Sequence, residues 1–439
     1  MMQKWLQARR AHSGMIRNRI PFTDSREWYS DSASIRHKTG GFFSIVGVRV
    51  QAEHSALNDW EQPIIDQPEI GILGFIVRSR GNGLEWLVQA KSEPGNVGLA
   101  QLAPTVQATF SNYSRLHGGA ATWYLEYFLD QDMPLESDGL FSEQGTRFLR
   151  KFNRNTVHKI DHDLPIPNEN FKWFSGQDMR RALGQNYVLN TDARSVIVTA
   201  PWSLLSSGEL FAGPDRSSPF AEQLVSSYHR QCTPNCVYRA EAFVRECREK
   251  LKLRTDKIAL KDLTGWIYDS EEIAAAGQSS GLVVRQYSVD APDREQARWD
   301  QPLMLSPEKD EVILFCQRRY GILHFLLRAS YEVGLTGGAE LGPSFKQETA
   351  SLSPAWLKDL VRAKRYQEHL AVEQSDEGGR FLDSCCRYAI CEIDDAWRAP
   401  ETDTGNLWVT LAELEKLCQA PGLLTNEARS VVSLLLSEC

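Results

Sequence analysis

Between Gln89 and Arg115 the chain crowds acid, base, amide, hydroxyl and guanidinium side chains into one short stretch. Lys91, Glu93, Asn96, Gln107, Asn112, Tyr113 and Arg115 fall within it, and His117 follows. Groups of these types can move a proton, hold an oxyanion and grip a charged ligand. The stretch follows a strand-like run, Leu84 to Val88. Glu93-Pro94-Gly95-Asn96 reads as a turn, because Pro fixes φ while Gly and Asn tolerate positive φ. A second charged set lies downstream at Glu143, Arg147, Lys151, Arg154 and Asn155. Guanidinium forks hold phosphate oxygens bidentately, so this set suits a diphosphate. Its alternative reading is a solvated charged face.

The elements that must position these residues occur twice. Trp60 to Pro104 aligns without a gap on Trp299 to Pro343, with a third of the positions identical, among them Glu93/Glu332, Gly95/Gly334 and Pro104/Pro343. A second anchor sets Ser142-Glu143-Gln144-Gly145-Thr146-Arg147-Phe148-Leu149 against Ser375-Asp376-Glu377-Gly378-Gly379-Arg380-Phe381-Leu382. A third sets Asp192-Ala193-Arg194-Ser195 against Glu427-Ala428-Arg429-Ser430. One period of half the chain is not a solenoid, whose units run about 20–50 residues. The expectation is two copies of one domain, 1–203 and 239–439, with the Ser-, Pro- and Gly-rich stretch 204–238 as linker. Residues 1–20 read as an amphipathic basic helical arm. Gly41–Val50, Ile70–Val77, Leu84–Ala90 and Gln101–Thr109 read as strands, and Phe174–Leu183 as a helix. Thr122–Phe128 and Glu143–Arg154 leave strand and helix open. The fold class expected is α+β, curved mixed sheets with flanking helices.

Bulk properties narrow the function. A chain of 439 residues accommodates two domains. Its net charge of −8, from 49 basic and 57 acidic residues, argues against non-specific nucleic-acid binding. The first ten residues lack the apolar core of a signal peptide, and no run approaches a membrane span. Nine cysteines scatter without a framework, which predicts a reducing, cytoplasmic setting. No carboxylates or histidines sit at metal-ligand spacing, and no Gly-x-Gly-x-x-Gly stretch marks a dinucleotide.

At Glu93-Pro94-Gly95-Asn96, Pro104-Thr105-Val106-Gln107-Ala108-Thr109 and Ser111-Asn112-Tyr113 the chain resembles the NDP-hexose 2,3-dehydratases of deoxysugar biosynthesis. Ser142-Glu143-Gln144-Gly145, Phe148-Leu149-Arg150-Lys151, Asn153-Arg154-Asn155 and the Trp-x-Gln-Pro at Trp60 and Trp299 extend the match. The resemblance implies a tandem Nudix-like fold, a homodimer and a dTDP-4-keto-6-deoxyhexose substrate, with a downstream ketoreductase to consume the unstable product. The Nudix metal box is missing, so pyrophosphate hydrolysis is disfavoured. Phe152 departs from the family's usual basic residue. In the second copy Glu332-Val333-Gly334 and Ser344-Phe345-Lys346-Gln347 depart from the motif. The alternatives are a nucleotide-sugar-binding protein without catalysis, and a pyrophosphatase.

The implied reaction takes the C-3 proton beside the ketone, expels the C-2 hydroxyl and tautomerises to a 3,4-diketo sugar. It needs a base, oxyanion donors and an acid, and no redox cofactor. Glu143 and Glu93 are the candidate bases, with Glu143 preferred because the second copy has Asp376 there. Glu93 also reads as a turn carboxylate, and Glu143 as a cap or ion-pair partner of Arg147. Tyr113 and His117 are candidates for acid or oxyanion donor, and Lys91 for polarising the ketone. Gln107, Asn112, Arg115, Arg147, Lys151, Arg154 and Asn155 are the expected substrate-binding residues. Trp60 would stack on thymine, or else pack a hairpin. The first copy is expected to hold the active pocket, with the second catalytically idle.

Overall fold

The computed structural model describes residues 1–52, 59–81, 83–113, 121–206, 210, 219–230, 232–277, 281–292, 297–306, 308–349, 352–394, 396–397, 399 and 405–438. The architecture is mixed α+β, with two seven-stranded and two five-stranded sheets. The first large sheet runs Leu135–Ser142, Phe152–Ile160, Gly71–Arg80, Gly83–Ser92, Phe171–Ser175, with Ala100–Ala103 and Val106–Ala108 pairing alongside. The second repeats that order with Tyr366–Ser375, Cys385–Ile393, Asp310–Arg319, Ile322–Tyr331 and Asn406–Val409, with Ala339–Gly342 and Phe345–Lys346 alongside. Each contains one parallel pair, Phe152–Ile160 on Gly71–Arg80 and Cys385–Ile393 on Asp310–Arg319. Those central strands carry unbroken apolar runs, such as Phe75-Ile76-Val77 and Val312-Ile313-Leu314-Phe315, because both of their faces are covered.

Between the sheets lie two helices, Thr191–Thr199 and Asn426–Leu435, buried along their whole lengths. Each starts on a side-chain cap: Asn190 accepts from the Ala193 N–H and Thr425 from the Ala428 N–H. One apolar core takes in Phe75 and Trp86 of the first sheet, Leu314 and Phe325 of the second, and Val196, Ile197, Val431 and Val432 of the helices. At about 1.5–3 kcal/mol for each large side chain buried, this shared core dominates the stability of both halves.

The halves also exchange parts. Ile16–Ile20 pairs with Val283–Asp290 of the second half, and Leu253–Ile258 pairs with Ser44–Ala52 of the first. The arm expected over residues 1–20 is therefore a helix, Met2–His12, followed by a strand that crosses over. The buried arginines of the repeated Ala-Arg-Ser motif cross too. Arg194 donates to Leu189 O at 2.7 Å and to Ser375 O at 3.1 Å, while Arg429 donates to Ser142 O.

Two expected elements differ. Gln101–Thr109 is two strands rather than one. Pro104 lacks an N–H, and the Thr105 hydroxyl takes the Ile76 N–H at 3.0 Å and donates to Leu87 O, bridging the neighbouring strands. The stretch 204–238 holds the helix Pro219–Tyr228 and the start of Cys236–Leu251. Phe220 and Leu224 enter the core, and the Ser227 hydroxyl bonds Leu323 O at 2.7 Å. Serine content had marked a loop, yet the apolar spacing of Phe220 and Leu224 is helical. Among the described residues no helix is long and apolar enough to cross a membrane, and the described cysteines are free.

The tightest exchange is between turns. The Gly95 N–H donates to Gly378 O at 2.7 Å, and Gly95 O accepts from the Asp383 N–H at 3.0 Å. Reciprocally, Gly334 N–H donates to Gly145 O at 2.7 Å and Gly334 O accepts from Arg150 N–H at 2.7 Å. A Cβ on Gly95 would stand 1.6 Å from Phe381 O, and one on Gly334 1.7 Å from Phe148 O. Gly95→Ala should cost more than about 4 kcal/mol in urea unfolding, since backbone must move. Gly277→Ala, with a left-handed φ but open space around it, should cost about 1–2 kcal/mol. Similar losses at both positions would contradict the crossing.

Candidate active site

Where the first large sheet meets the small sheets and the crossing loop of the second half there is a cavity of about 540 Å³, within the range of ligand pockets. Alternation along Gly83–Ser92 points Gln89 and Lys91 to one side, and both line the cavity with Glu93 of the following turn. Glu93 is pinned as an acceptor: Gln107 Nε2 donates to one oxygen at 3.0 Å and Asn96 Nδ2 to the other at 3.3 Å. Lys91 Nζ lies 3.6 Å from Glu93 and donates to Gln107 O at 2.8 Å. Gln107 Oε1 accepts from Asn190, the cap of the buried helix, at 2.8 Å. That bond fixes the helix start, and with it Asp192, against the strand Val106–Ala108.

On another wall, Glu143 accepts from Asn153 Nδ2 at 2.6 Å and Asn426 Nδ2 at 3.2 Å. Asn153 is itself oriented by the Gly71 N–H at 3.0 Å. Burial pushes the Glu143 carboxyl up, against the pull of Arg429 and Lys151. Lys151 donates to Glu69 O, and burial brings its ammonium down to about 8.

The second half supplies the remaining wall. Glu377 Oε1 accepts the Gly379 N–H at 3.1 Å, while Oε2 is enclosed with no hydrogen-bond partner among the described residues. Burial, against Arg380 and reinforced by Glu93 and Glu143, pushes Glu377 up to about 7. Arg380 lies 4.4 Å from the Phe43 ring centroid and donates to Gln67 Oε1 at 3.4 Å. Asp192 is pushed well above the carboxylate range by burial, then by Glu143, Glu377 and Glu93. Trp28, Trp123, Trp299 and Phe171 complete an aromatic rim. Several carboxylates with raised pKa beside lysines and an arginine can exchange protons with a carbon acid and hold an anion.

Residues 1–199 and 238–435 match the model of the NDP-hexose 2,3-dehydratase family. The chain belongs to that family. It is 33% identical over 448 residues to a dTDP-4-dehydro-6-deoxy-alpha-D-glucopyranose 2,3-dehydratase of Saccharopolyspora spinosa, covering 99% of this chain and 90% of the relative. Proteins of the same name from Amycolatopsis orientalis and Streptomyces violaceoruber are 31% and 32% identical, each covering 98% of this chain and respectively 89% and 95% of the relative.

Of the expected site residues, the fold gathers Lys91, Glu93, Gln107, Asn112, Glu143 and Lys151 around the cavity. Others lie elsewhere. Arg154 pairs with Asp138 at 2.6 Å and donates to Phe128 O at 2.9 Å. Asn155 ties its strand to the buried helix through Ser195 at 3.0 Å and Thr199 at 3.2 Å. The Trp60 indole donates to Gln62 Oε1 at 3.2 Å, and Gln62 donates to Thr146 O at 2.8 Å, so the Trp-x-Gln motif braces the crossing loop. Its counterpart Trp299 makes the same bond to Gln301 at 2.8 Å and does line the cavity. Tyr113 ends the short helix Phe110–Tyr113, and its side chain, like Arg115 and His117, lies outside the described residues.

Arg147 faces the other half. It pairs with Glu348, which also takes Lys346 at 2.8 Å. Lys346 stands where the first half has Gln107 and closes on Glu427, the counterpart of Asp192, at 2.5 Å. Sequence reasoning passed over Asn153, Asp192, Glu377, Arg380 and Trp299 as site residues. Asp192 and Arg380 were visible as repeat anchors, but only the crossing of the loops assigns Arg380 to the first half's cavity and Arg147 to the second half's cluster.

The ion cluster has a measurable pH signature. Against the upward push of burial, Arg147 and Lys346 hold Glu348 down at about 2, below its ordinary 4.5. A depressed carboxylate contributes stability above its unfolded pKa and loses it as pH falls through its folded pKa. Glu348→Gln should therefore lower the melting temperature by a constant amount above about pH 4.5, and the gap should close as pH falls toward 2. A gap that does not change with pH would show that the pair is not ionic.

Proposed function

We propose that the cavity binds a dTDP-4-dehydro-6-deoxyhexose and removes water across C-2 and C-3, as a hydro-lyase of deoxysugar biosynthesis. The observation that carries this reading is Glu143, a buried carboxyl with a raised pKa, held on the cavity wall by two amide donors and faced by Lys151. Removal of a proton beside a ketone needs a base whose pKa approaches working pH and whose position is fixed. Glu143 takes the C-3 proton in this reading, and the enolate charge on the C-4 oxygen falls to Lys151 and Lys91. Glu93, both oxygens engaged by amides, organises Lys91 and Gln107. Arg380 reaches the diphosphate, and the aromatic rim of Trp28, Trp123 and Trp299 stacks the thymine.

The same strand order in the two large sheets supports a tandem duplication of a Nudix-like domain, with 1–203 and 239–439 as its copies and 204–238 between them. Free thiols support a reducing cytoplasm. A homodimer and a downstream ketoreductase that takes up the reactive diketo sugar complete the proposal.

Incubation with dTDP-4-dehydro-6-deoxyglucose should yield a sugar nucleotide lighter by one water. Glu143→Gln should lower that rate by about 10²–10⁴-fold and abolish exchange of the C-3 proton with deuterated water. Wild-type exchange in that variant would remove Glu143 from the role. Arg380→Ala should raise KM by the loss of a charged contact, about 1.5–3 kcal/mol. Arg147→Ala should leave KM unchanged while lowering thermal stability; the reverse pattern would reassign the diphosphate site.

A further inference from the structure

We propose that Glu377, carried into the cavity by the second half of the chain, is the acid that protonates the departing C-2 hydroxyl. The proposal rests on the dehydratase reading. Once Glu143 has taken the C-3 proton, the electron pair resides in the enolate. Its return re-forms the C-4 carbonyl, makes the C-2–C-3 double bond and breaks the C-2–O bond. The oxygen leaves with that bonding pair and takes the Glu377 proton, departing as water. The remaining enol passes its C-3 hydroxyl proton to the Glu377 carboxylate, and C-2 receives the proton held by Glu143. Both groups are restored, and the substrate has lost one water.

The geometry around Glu377 is that of a donor held ready. Oε1 is occupied by the Gly379 N–H at 3.1 Å, and the enclosed Oε2 has no partner among the described residues. Gly379 leaves the room for this arrangement, since a Cβ there would meet Glu377 Oε1 at 2.5 Å. The backbone is equally fixed. Glu377 O accepts from the Arg380 and Phe381 N–H groups at 3.1 and 2.9 Å, and the neighbouring Gly378 O accepts from Gly95. Burial and the facing carboxylates Glu93 and Glu143 favour the protonated form, while Arg380 and Lys91 temper them, leaving its pKa at about 7. When Glu143 gains a proton its charge disappears, which eases proton loss from Glu377. The two groups therefore work in alternation.

The other carboxylates fit the role less well. Glu93 spends both oxygens accepting from amides. Burial and the facing carboxylates push Asp192 well above the carboxylate range, so it holds its proton more firmly than Glu377 and releases it less readily. The repeat adds its own argument: the counterpart of Glu377 is Gln144, which donates to Asp376 at 3.0 Å. A carboxyl at this place is thus supplied to one cavity only, the one lined by Glu143.

The test uses the full-length protein and dTDP-4-dehydro-6-deoxyglucose. Glu377→Gln should dehydrate about 10²–10⁴-fold more slowly while still exchanging the C-3 proton with deuterated water, and Glu377→Asp should recover part of the lost rate. Wild-type activity should fall as pH rises through about 7, and Glu377→Asp should move that limb. Binding of dTDP by calorimetry, unchanged in both variants, shows that the cavity is intact. A Glu377→Gln protein that dehydrates at the wild-type rate overturns the assignment and leaves the dehydratase reading standing. So does the split between exchange and water loss appearing in Asp192→Asn instead. Wild-type protein that neither exchanges nor dehydrates would overturn both.

Discussion

The structure depends on two backbone crossings, Gly95 against the loop of Gly378 and Gly334 against the loop of Gly145. Each brings two peptide planes so close that a single methyl group would collide with a carbonyl. At each crossing the glycine both gives and accepts, so its own N–H and C=O keep partners where an orphan would cost about 1–3 kcal/mol. The Phe148 and Phe381 rings meet edge to face beside the crossings, 5.6 Å apart. Glu377 and Arg380 reach the cavity through the crossing at Gly95, while Trp299 enters it on the strand Arg298–Leu305.

The same crossing gives the two halves different fates. In the first, Gln107 is neutral and shares its amide between Glu93 and Asn190, and an open cavity remains beside it. In the second, Lys346 at the matching position is held by Glu427 and Glu348, with Arg147 closing the set. Glu332, the counterpart of Glu93, is pushed up to about 8 by burial and by Glu427. One cluster lines an open cavity; the other pairs its charges internally. An internal lysine needs such partners, because an isolated ammonium away from water is prohibitively costly.

The turn at Glu93 and the strands before it were legible in the sequence, because these are local patterns of spacing and turn chemistry. Glu143, Lys151 and Gln107 came from separate motifs of the family resemblance, and the fold lines one cavity with them. The sequence did not carry which half would receive each loop. Arg147 and Arg380 are matched letters in matched motifs, and nothing local distinguishes a loop that folds back from one that crosses over. Trp60 and Trp299 make the same bond to a glutamine, yet it is Trp299 that lines the cavity. Ile16–Ile20 looked like the end of a helical arm because its sheet partner, Val283–Asp290, lies far away in the chain. Pro219–Tyr228 was hidden by surrounding serines and glycines, although Phe220 and Leu224 show helical spacing once the packed face is known.

The exchanged strands have a consequence for how such a chain comes into being. Each half gives a strand of its own, Ile16–Ile20 or Leu253–Ile258, to the small sheet of the other and receives the other's in return. Two separate halves would therefore meet as an intertwined pair, whose survival depends on concentration. Joining them in one polypeptide replaces that encounter with a tethered one, at an effective concentration set by the connecting segment. Tethering also breaks the equivalence of the partners. A change on one side of a symmetric pair would appear at both sites, whereas here each side mutates by itself. The covalent link thus lets the two sides differ: one lines an open cavity, the other encloses an ion cluster.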